Sequence, residues 1–169
     1  MKNLLKYTST LKHLPRTGWL RYGIDAPETV ASHSWQMAIM ALNLAQTEKG
    51  YDFNKVIKLC LCHDLGESVI GDITPSDARS VNKKQLEEQA IDKIAVESDF
   101  AELKALFREY EDNQTPEAQL ANDLDKLDMY AQALDYEAKY PHKDLSEFCL
   151  SATKAIKTDI GLQILKTLK

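Results

Sequence analysis

The segment that most constrains the fold runs from Asp52 to Glu67. Phe53, Val56, Ile57, Leu59, Cys60 and Leu61 make a helix-length stretch that is apolar nearly all round, and it leads into His63-Asp64-Leu65-Gly66-Glu67. A helix with no polar face has nothing to offer water. This one is therefore expected near the centre of a helical bundle, with Asp52 as its N-terminal cap. Its end carries a histidine and a carboxylate where the pattern wants core. Burying an unpaired carboxylate costs on the order of several kcal/mol even after relaxation. Asp64 needs a partner there, and a cation is one.

The rest of the chain reads as all-α. Five prolines and six glycines fall mostly outside periodic segments, and no stretch alternates apolar and polar residues long enough for a strand. A first helix is expected over Lys2 to Lys12, then an irregular stretch from Pro15 to Ser32. A structureless segment of that length in a compact domain is often functional. A second helix is expected from Val30 to about Glu48, stopped by Gly50. Trp35, Ile39 and Leu42 with Met37, Met40 and Leu44 are its candidate core positions. Gly71-Asp72-Ile73-Thr74-Pro75 reads as a turn, followed by helices from Asn82 to Glu97 and from Phe100 to Glu111. Thr115-Pro116-Glu117 pairs a capping threonine with proline at the first helical position and opens a helix to about Tyr140. Asp144-Leu145-Ser146-Glu147 resembles a capping box and opens the last helix.

The 169 residues are expected to form one domain, 1–169. No apolar run approaches the roughly 18 residues that a membrane span needs, and the N-terminus has no apolar leader core, so a soluble cytosolic protein is expected. Cys60, Cys62 and Cys149 do not suggest a disulfide framework, which fits a reducing compartment. A net charge of −5 argues against a nucleic-acid polymer as partner, because that needs a basic face. A small phosphorylated substrate remains open, since its pocket needs only one or two local cations.

His33 lies near the start of another helix, and Asp125 lies in a third, within Asn122-Asp123-Leu124-Asp125-Lys126-Leu127-Asp128. With His63 and Asp64 these residues offer two imidazoles and two carboxylates, a donor set suited to a first-row divalent ion. The spacing is weak evidence by itself, because a histidine on an apolar helix is more often a satisfied core residue. Glu67 places a second carboxylate about one turn beyond Asp64, and Asp72 follows shortly after.

With these neighbours the chain resembles the HD-domain metal-dependent phosphohydrolases, and within them the 5'-deoxynucleotidase branch. The matching stretches are Pro15-Arg16-Thr17-Gly18-Trp19, Pro27-Glu28-Thr29-Val30-Ala31-Ser32-His33-Ser34, His63-Asp64-Leu65-Gly66-Glu67 and Gly71-Asp72-Ile73-Thr74-Pro75. Glu109-Tyr110-Glu111, Thr115-Pro116-Glu117-Ala118 and Asp123-Leu124-Asp125-Lys126-Leu127 follow in order. The resemblance covers about residues 5 to 140. It implies an HD-domain bundle of about six to eight helices around a central metal site. It also implies metal ligands at His33, His63, Asp64 and Asp125, catalytic acids at Glu67 and Asp72, and substrate contacts from Arg16 and Trp19. The segment with Thr74, Pro75 and Asp77 varies in length within the family. The implied reaction hydrolyses deoxyribonucleoside 5'-monophosphates through a water activated by a divalent ion (Co, Mn, Mg, Fe, Ni or Zn). A homodimer is implied as well.

Charge counting adds a constraint. Two carboxylates neutralise one divalent ion, and a phosphate monoester adds about two negative charges at neutral pH. Glu67 and Asp72 bring two more, and each like-charge pair at ~4 Å costs about 4 kcal/mol at an effective dielectric of ~20. Arg16, protonation of one acid, or a second ion at Glu67, Asp72 and the Ile73 carbonyl would each relieve this. Glu67 is expected to orient or deprotonate water and Asp72 to protonate the leaving oxygen, roles that can be exchanged. Trp19 is either a core anchor or an apolar wall against the sugar that leaves a 2'-hydroxyl without a partner. Lys126 serves a phosphate or a salt bridge. Cys60 and Cys62 read as core, His13 and His142 as surface, Asp128, Asp135 and Glu137 as a solvated or paired face, and Lys83-Lys84 with Glu87-Glu88 as helix charge pairing. The competing functions are an HD phosphohydrolase or phosphodiesterase for another nucleotide, and a nucleotide-binding helical module without turnover.

Overall fold

The capping and breaking signals resolve into ten helices among the described residues, 1–74 and 82–168 of a computed structural model. Pro75 and Asp77 lie outside them. The helices are α1 (Lys2–Leu11), α2 (Thr17–Arg21), α3 (Val30–Leu44), α4 (Phe53–Cys62), α5 (Glu67–Ile70), α6 (Lys83–Ser98), α7 (Leu103–Asp112), α8 (Pro116–Lys139), α9 (Ser146–Ala155) and α10 (Asp159–Leu168). Eight of them have ten or more residues, while α2 and α5 are turns of five and four. No strand occurs among the described residues, and extended pairing is limited to an antiparallel bridge between Pro15 and Thr29. Among the described residues no helix is long and apolar enough to cross a membrane.

The expected caps at Thr115 and Asp52 are in place: Thr115 accepts from the Ala118 N–H ahead of Pro116, and Asp52 from Lys55. Asn82, the expected start of α6, also caps it, accepting from Gln85. The capping box at Asp144 does not form: Asp144 accepts from the Ser146 N–H, and Leu145 precedes α9 without a side-chain cap. Four further expectations change. The stretch from Pro15 to Ser32 contains α2 and the Pro15–Thr29 bridge rather than wholly irregular chain. Helix α3 ends at Leu44 and buries Val30, His33, Met37 and Ala41, leaving Trp35, Ile39 and Leu42 between 44% and 60% exposed. Ala38 and Ala41 are buried on that inner face, so bulk does not decide which side turns inward. Helix α4 is one-sided: Val56, Leu59 and Cys60 are buried, but Leu61 is 49% exposed and Lys55 pairs with Glu109 at 3.4 Å. The expected last helix is two, because the chain leaves helical geometry at Ile156 (ψ 130°) before α10 begins.

The chain forms two compact units, residues 1–34 with 61–108, and 35–60 with 109–169, so α3, α4 and α7 each carry the chain from one to the other. In the first, α1 packs on α5 and α6, burying Tyr7, Leu11, Ile91 and Ile94. The Tyr7 hydroxyl donates to Glu97 Oε2 at 2.6 Å, joining α1 to α6. In the second, α8 packs on α9 and α10, with Leu120, Leu124 and Leu127 fully buried. The Asp123 carboxylate of α8 accepts from the N–H groups of Lys157 and Thr158, ahead of α10.

Candidate metal and phosphate site

Helix α4 ends at Cys62, and tight turns carry the chain from His63 to Gly66 before α5 begins at Glu67. His63-Asp64-x-x-Glu67 is therefore a helix end, a turn and a new helix start, not one continuous helix. The turn lets two neighbouring side chains point together: His63 Nε2 lies 3.0 Å from Asp64 Oδ2. His33, on the first turns of α3 and fully buried, brings its Nε2 to 4.0 Å from the same oxygen. The two imidazole rings meet edge to face at 5.5 Å between centroids.

One carboxylate oxygen thus faces two imidazole nitrogens, and the three ligand atoms lie within 4.8 Å of one another. Donors to one first-row ion sit about 2.0–2.2 Å from it, hence within about 4 Å of each other. The donor types fit such an ion, and the two spacings to Asp64 Oδ2, 3.0 Å from His63 and 4.0 Å from His33, lie within that reach. Burial alone would push the Asp64 carboxyl up. Instead the His63 imidazole, by charge and hydrogen bond, with Arg16 and His33, holds it well below the usual carboxylate range.

Arg16 immediately precedes α2. Its Nη1 lies 3.4 Å from Asp64 Oδ2, and its Nε lies 3.7 Å from Glu28 Oε1. Trp19 sits on α2 with 1% of its surface exposed, and its indole N–H donates to the same Glu28 oxygen at 2.8 Å. Asp72 accepts from the Thr17 backbone N–H through Oδ2, and the Thr17 hydroxyl donates to the Asp72 carbonyl. Ile73 follows it, half-buried. Glu67 is buried, and its Oε2 has no hydrogen-bond partner among the described residues. Burial first, then Asp64 and Asp72, push its carboxyl up to about 10, with Arg16 and Lys83 acting the other way.

Arg16, Trp19, His33, His63, Asp64, Glu67 and Asp72 all belong to the first unit. Asp125 belongs to the second. It is buried on α8 and takes Lys126 Nζ at 2.7 Å and the Tyr110 hydroxyl at 3.4 Å. Lys126 is thus in a salt bridge. Asp128, read as a solvated or paired face, is fully buried. Glu137 is paired, accepting from the Leu145 N–H, and His13 and His142 are exposed. Cys60 and Cys62 are buried as core.

A family model described as the HD domain matches residues 8–164. The chain belongs to the HD-domain family. This HD domain is 42% identical to a 5'-deoxynucleotidase of Dictyostelium discoideum over 85% of the chain and 82% of that relative. It is 39% identical to one of Schizosaccharomyces pombe over 83% and 74%. A solved protein from Pyrococcus horikoshii superposes along the whole of both chains with a TM-score of 0.86 and 34% identity. The HD-domain chain is a metal-dependent phosphohydrolase, and its fold calls for a divalent ion.

Two residues of this HD domain carry no site role in the sequence. Glu28 belongs to the stretch from Pro27 to Ser34 without a signal of its own. Lys83 reads as helix pairing, and its Nζ does stand 3.3 Å from Glu87. Burial works against the Lys83 charge, yet Glu87, Glu67 and Asp64 hold its pKa above the usual lysine value. The signal was its place at the start of a helix that packs on α5: a Cβ on Gly66 would meet Ile91 at 3.5 Å and the Glu87 carbonyl at 3.6 Å.

Proposed function

We propose that this chain is a 5'-deoxynucleotidase, releasing phosphate from deoxyribonucleoside 5'-monophosphates. One observation carries the reading: His33, His63 and Arg16 all face the single oxygen Asp64 Oδ2, which supports a cation site with a guanidinium beside it for the phosphate. The curated relatives bear the same activity name. The reading takes residues 1–169 as one HD domain, since the family match runs through both units.

His33, His63 and Asp64 would hold the ion, with Asp125 as the fourth ligand that the family likeness assigns. A bound divalent ion supplies a water of lowered pKa and a polarised phosphoryl oxygen. Arg16 grips the phosphate with its forked donors. Asp72, already an acceptor toward Thr17, takes a proton from the attacking water. The water oxygen bonds to phosphorus, and the bond to the 5'-oxygen breaks. Glu67 keeps its proton at neutral pH and gives it to the departing alkoxide. This exchanges the acid and base roles first expected, because burial favours the protonated form of Glu67. A protonated Glu67 also relieves the charge excess, and Lys83 adds a second cation. A second ion at Glu67, Asp72 and the Ile73 carbonyl is the alternative way to relieve that charge, and it requires an ionised Glu67 in place of the protonated acid; metal titration to saturation distinguishes the two.

Phosphate release from a panel of deoxy- and ribonucleoside monophosphates with Co, Mn, Mg, Fe, Ni and Zn tests the reading and names the ion. Release from dAMP in excess of AMP supports it. Turnover of cyclic dinucleotides or alarmones alone would move the protein to the phosphodiesterase reading, and nucleotide binding without release would make it a binding module. The reading also carries a homodimer and a cytosolic location, which light scattering and a fluorescent fusion test.

A further inference from the structure

Glu28 stands between the two side chains assigned to the substrate. Its Oε1 accepts the Trp19 indole N–H at 2.8 Å and lies 3.7 Å from Arg16 Nε, with the Glu28 and Arg16 side chains only 10% and 16% exposed. The backbone makes the same connection. Arg16 N–H donates to the Glu28 carbonyl at 3.0 Å, Val30 N–H donates to the Leu14 carbonyl at 3.0 Å, and Pro15 and Thr29 form the bridge between them. The segments at 14–16 and 28–30 are thus tied side by side, and one carboxylate reaches both Arg16 and Trp19.

The other end of Arg16 reaches Asp64 Oδ2 at 3.4 Å. A guanidinium on a long flexible stem loses rotamer freedom when it grips a phosphate, and a ligand held beforehand loses less. A surface ion pair would contribute little of this, whereas a sequestered, charge-assisted contact contributes more. The indole has one N–H to satisfy when buried, and Glu28 satisfies it.

We infer that Glu28 is a positioning residue that sets the Arg16 guanidinium and the Trp19 indole together, so that phosphate grip and sugar choice depend on one carboxylate. This rests on the deoxynucleotidase reading. Glu28→Gln keeps an acceptor for the indole but removes the charge from Arg16; Glu28→Ala removes both. Glu28→Gln should raise KM for dAMP about tenfold with a smaller change in kcat and an unchanged deoxy-to-ribo ratio. Glu28→Ala should raise KM and also lower that ratio. In an Arg16→Ala background, Glu28→Gln should add less than about twofold, because the path through Arg16 is gone.

Trp35→Phe, at an exposed position, leaves Trp19 as the one tryptophan, so its emission reports the indole without turnover. Emission should shift in Glu28→Ala and stay in Glu28→Gln. Full additivity of Glu28→Gln with Arg16→Ala, or an unshifted emission in Glu28→Ala, overturns the inference. Failure of the wild-type chain to release phosphate from any deoxynucleotide overturns the functional reading instead, and the emission test of Glu28 still stands.

Discussion

His63 Nε2 lies 3.0 Å from Asp64 Oδ2, although the two residues are neighbours in the chain. Neighbours on a continuous helix point about 100° apart, so the contact exists because α4 stops at Cys62. On the proposed reading the pair chelates the ion as one unit, and losing either member should remove the metal. His63→Ala and Asp64→Asn should each lose bound metal and phosphate release together, while circular dichroism keeps its helical signature. Full metal occupancy in either variant would dismiss the pair as the ion's anchor.

Glu67 makes the stability of the chelator-treated protein depend on pH. Its carboxyl ordinarily titrates near 4.5 and is pushed up to about 10 in the fold. Between those values the unfolded chain gives up a proton that the folded chain keeps, so stability falls as pH rises through that window. Glu67→Gln removes the linkage. In EDTA it should melt higher than wild type at pH 8, with a flatter profile from pH 5 to 9. One kcal/mol corresponds to about 2–4 °C for a domain of this size. Parallel melting profiles for the two proteins would show that Glu67 titrates normally.

Gly161 is required by Asp123. A Cβ at position 161 would stand 2.5 Å from Asp123 Oδ2 and 2.8 Å from Ile156 Cγ2, and Asp123 cannot swing away without releasing the Lys157 and Thr158 N–H groups. Gly161→Ala should destabilise by about 1–3 kcal/mol in urea unfolding, as overpacking does. Asp123→Ala should cost about 0.5–2 kcal/mol through the lost cap. If Asp123→Ala makes Gly161→Ala no milder, the two are not coupled.

Lys83 faces the potential of Glu67 and Asp64 as well as Glu87. Lys83→Met should raise KM for dAMP about tenfold, the scale of one charge-assisted contact, and leave kcat less affected. An unchanged KM with a slightly lower melting temperature would return Lys83 to helix pairing alone.

The helices were legible because their signals are local. Thr115 before Pro116 and Asn82 before α6 mark boundaries through bonds to residues three positions on. The inner face of α3 was not legible. Two apolar stripes share that helix, and only the neighbours decide that Met37 and Ala41 go inside while Trp35 and Leu42 face water. The two-helix ending was missed because Asp123, thirty-four residues upstream of Lys157, satisfies the N–H groups that the break exposes.

The sequence by itself determined that this chain is helical, that it belongs with the HD domains, and which histidines and carboxylates to examine, because residue type and spacing carry that information along the chain. Tertiary structure decided which atoms meet. It placed His33, His63 and Arg16 around one oxygen of Asp64, tied Arg16 and Trp19 to Glu28, and pushed the Glu67 carboxyl up by burial. Those outcomes depend on distance and desolvation between segments far apart in sequence, which no local pattern encodes.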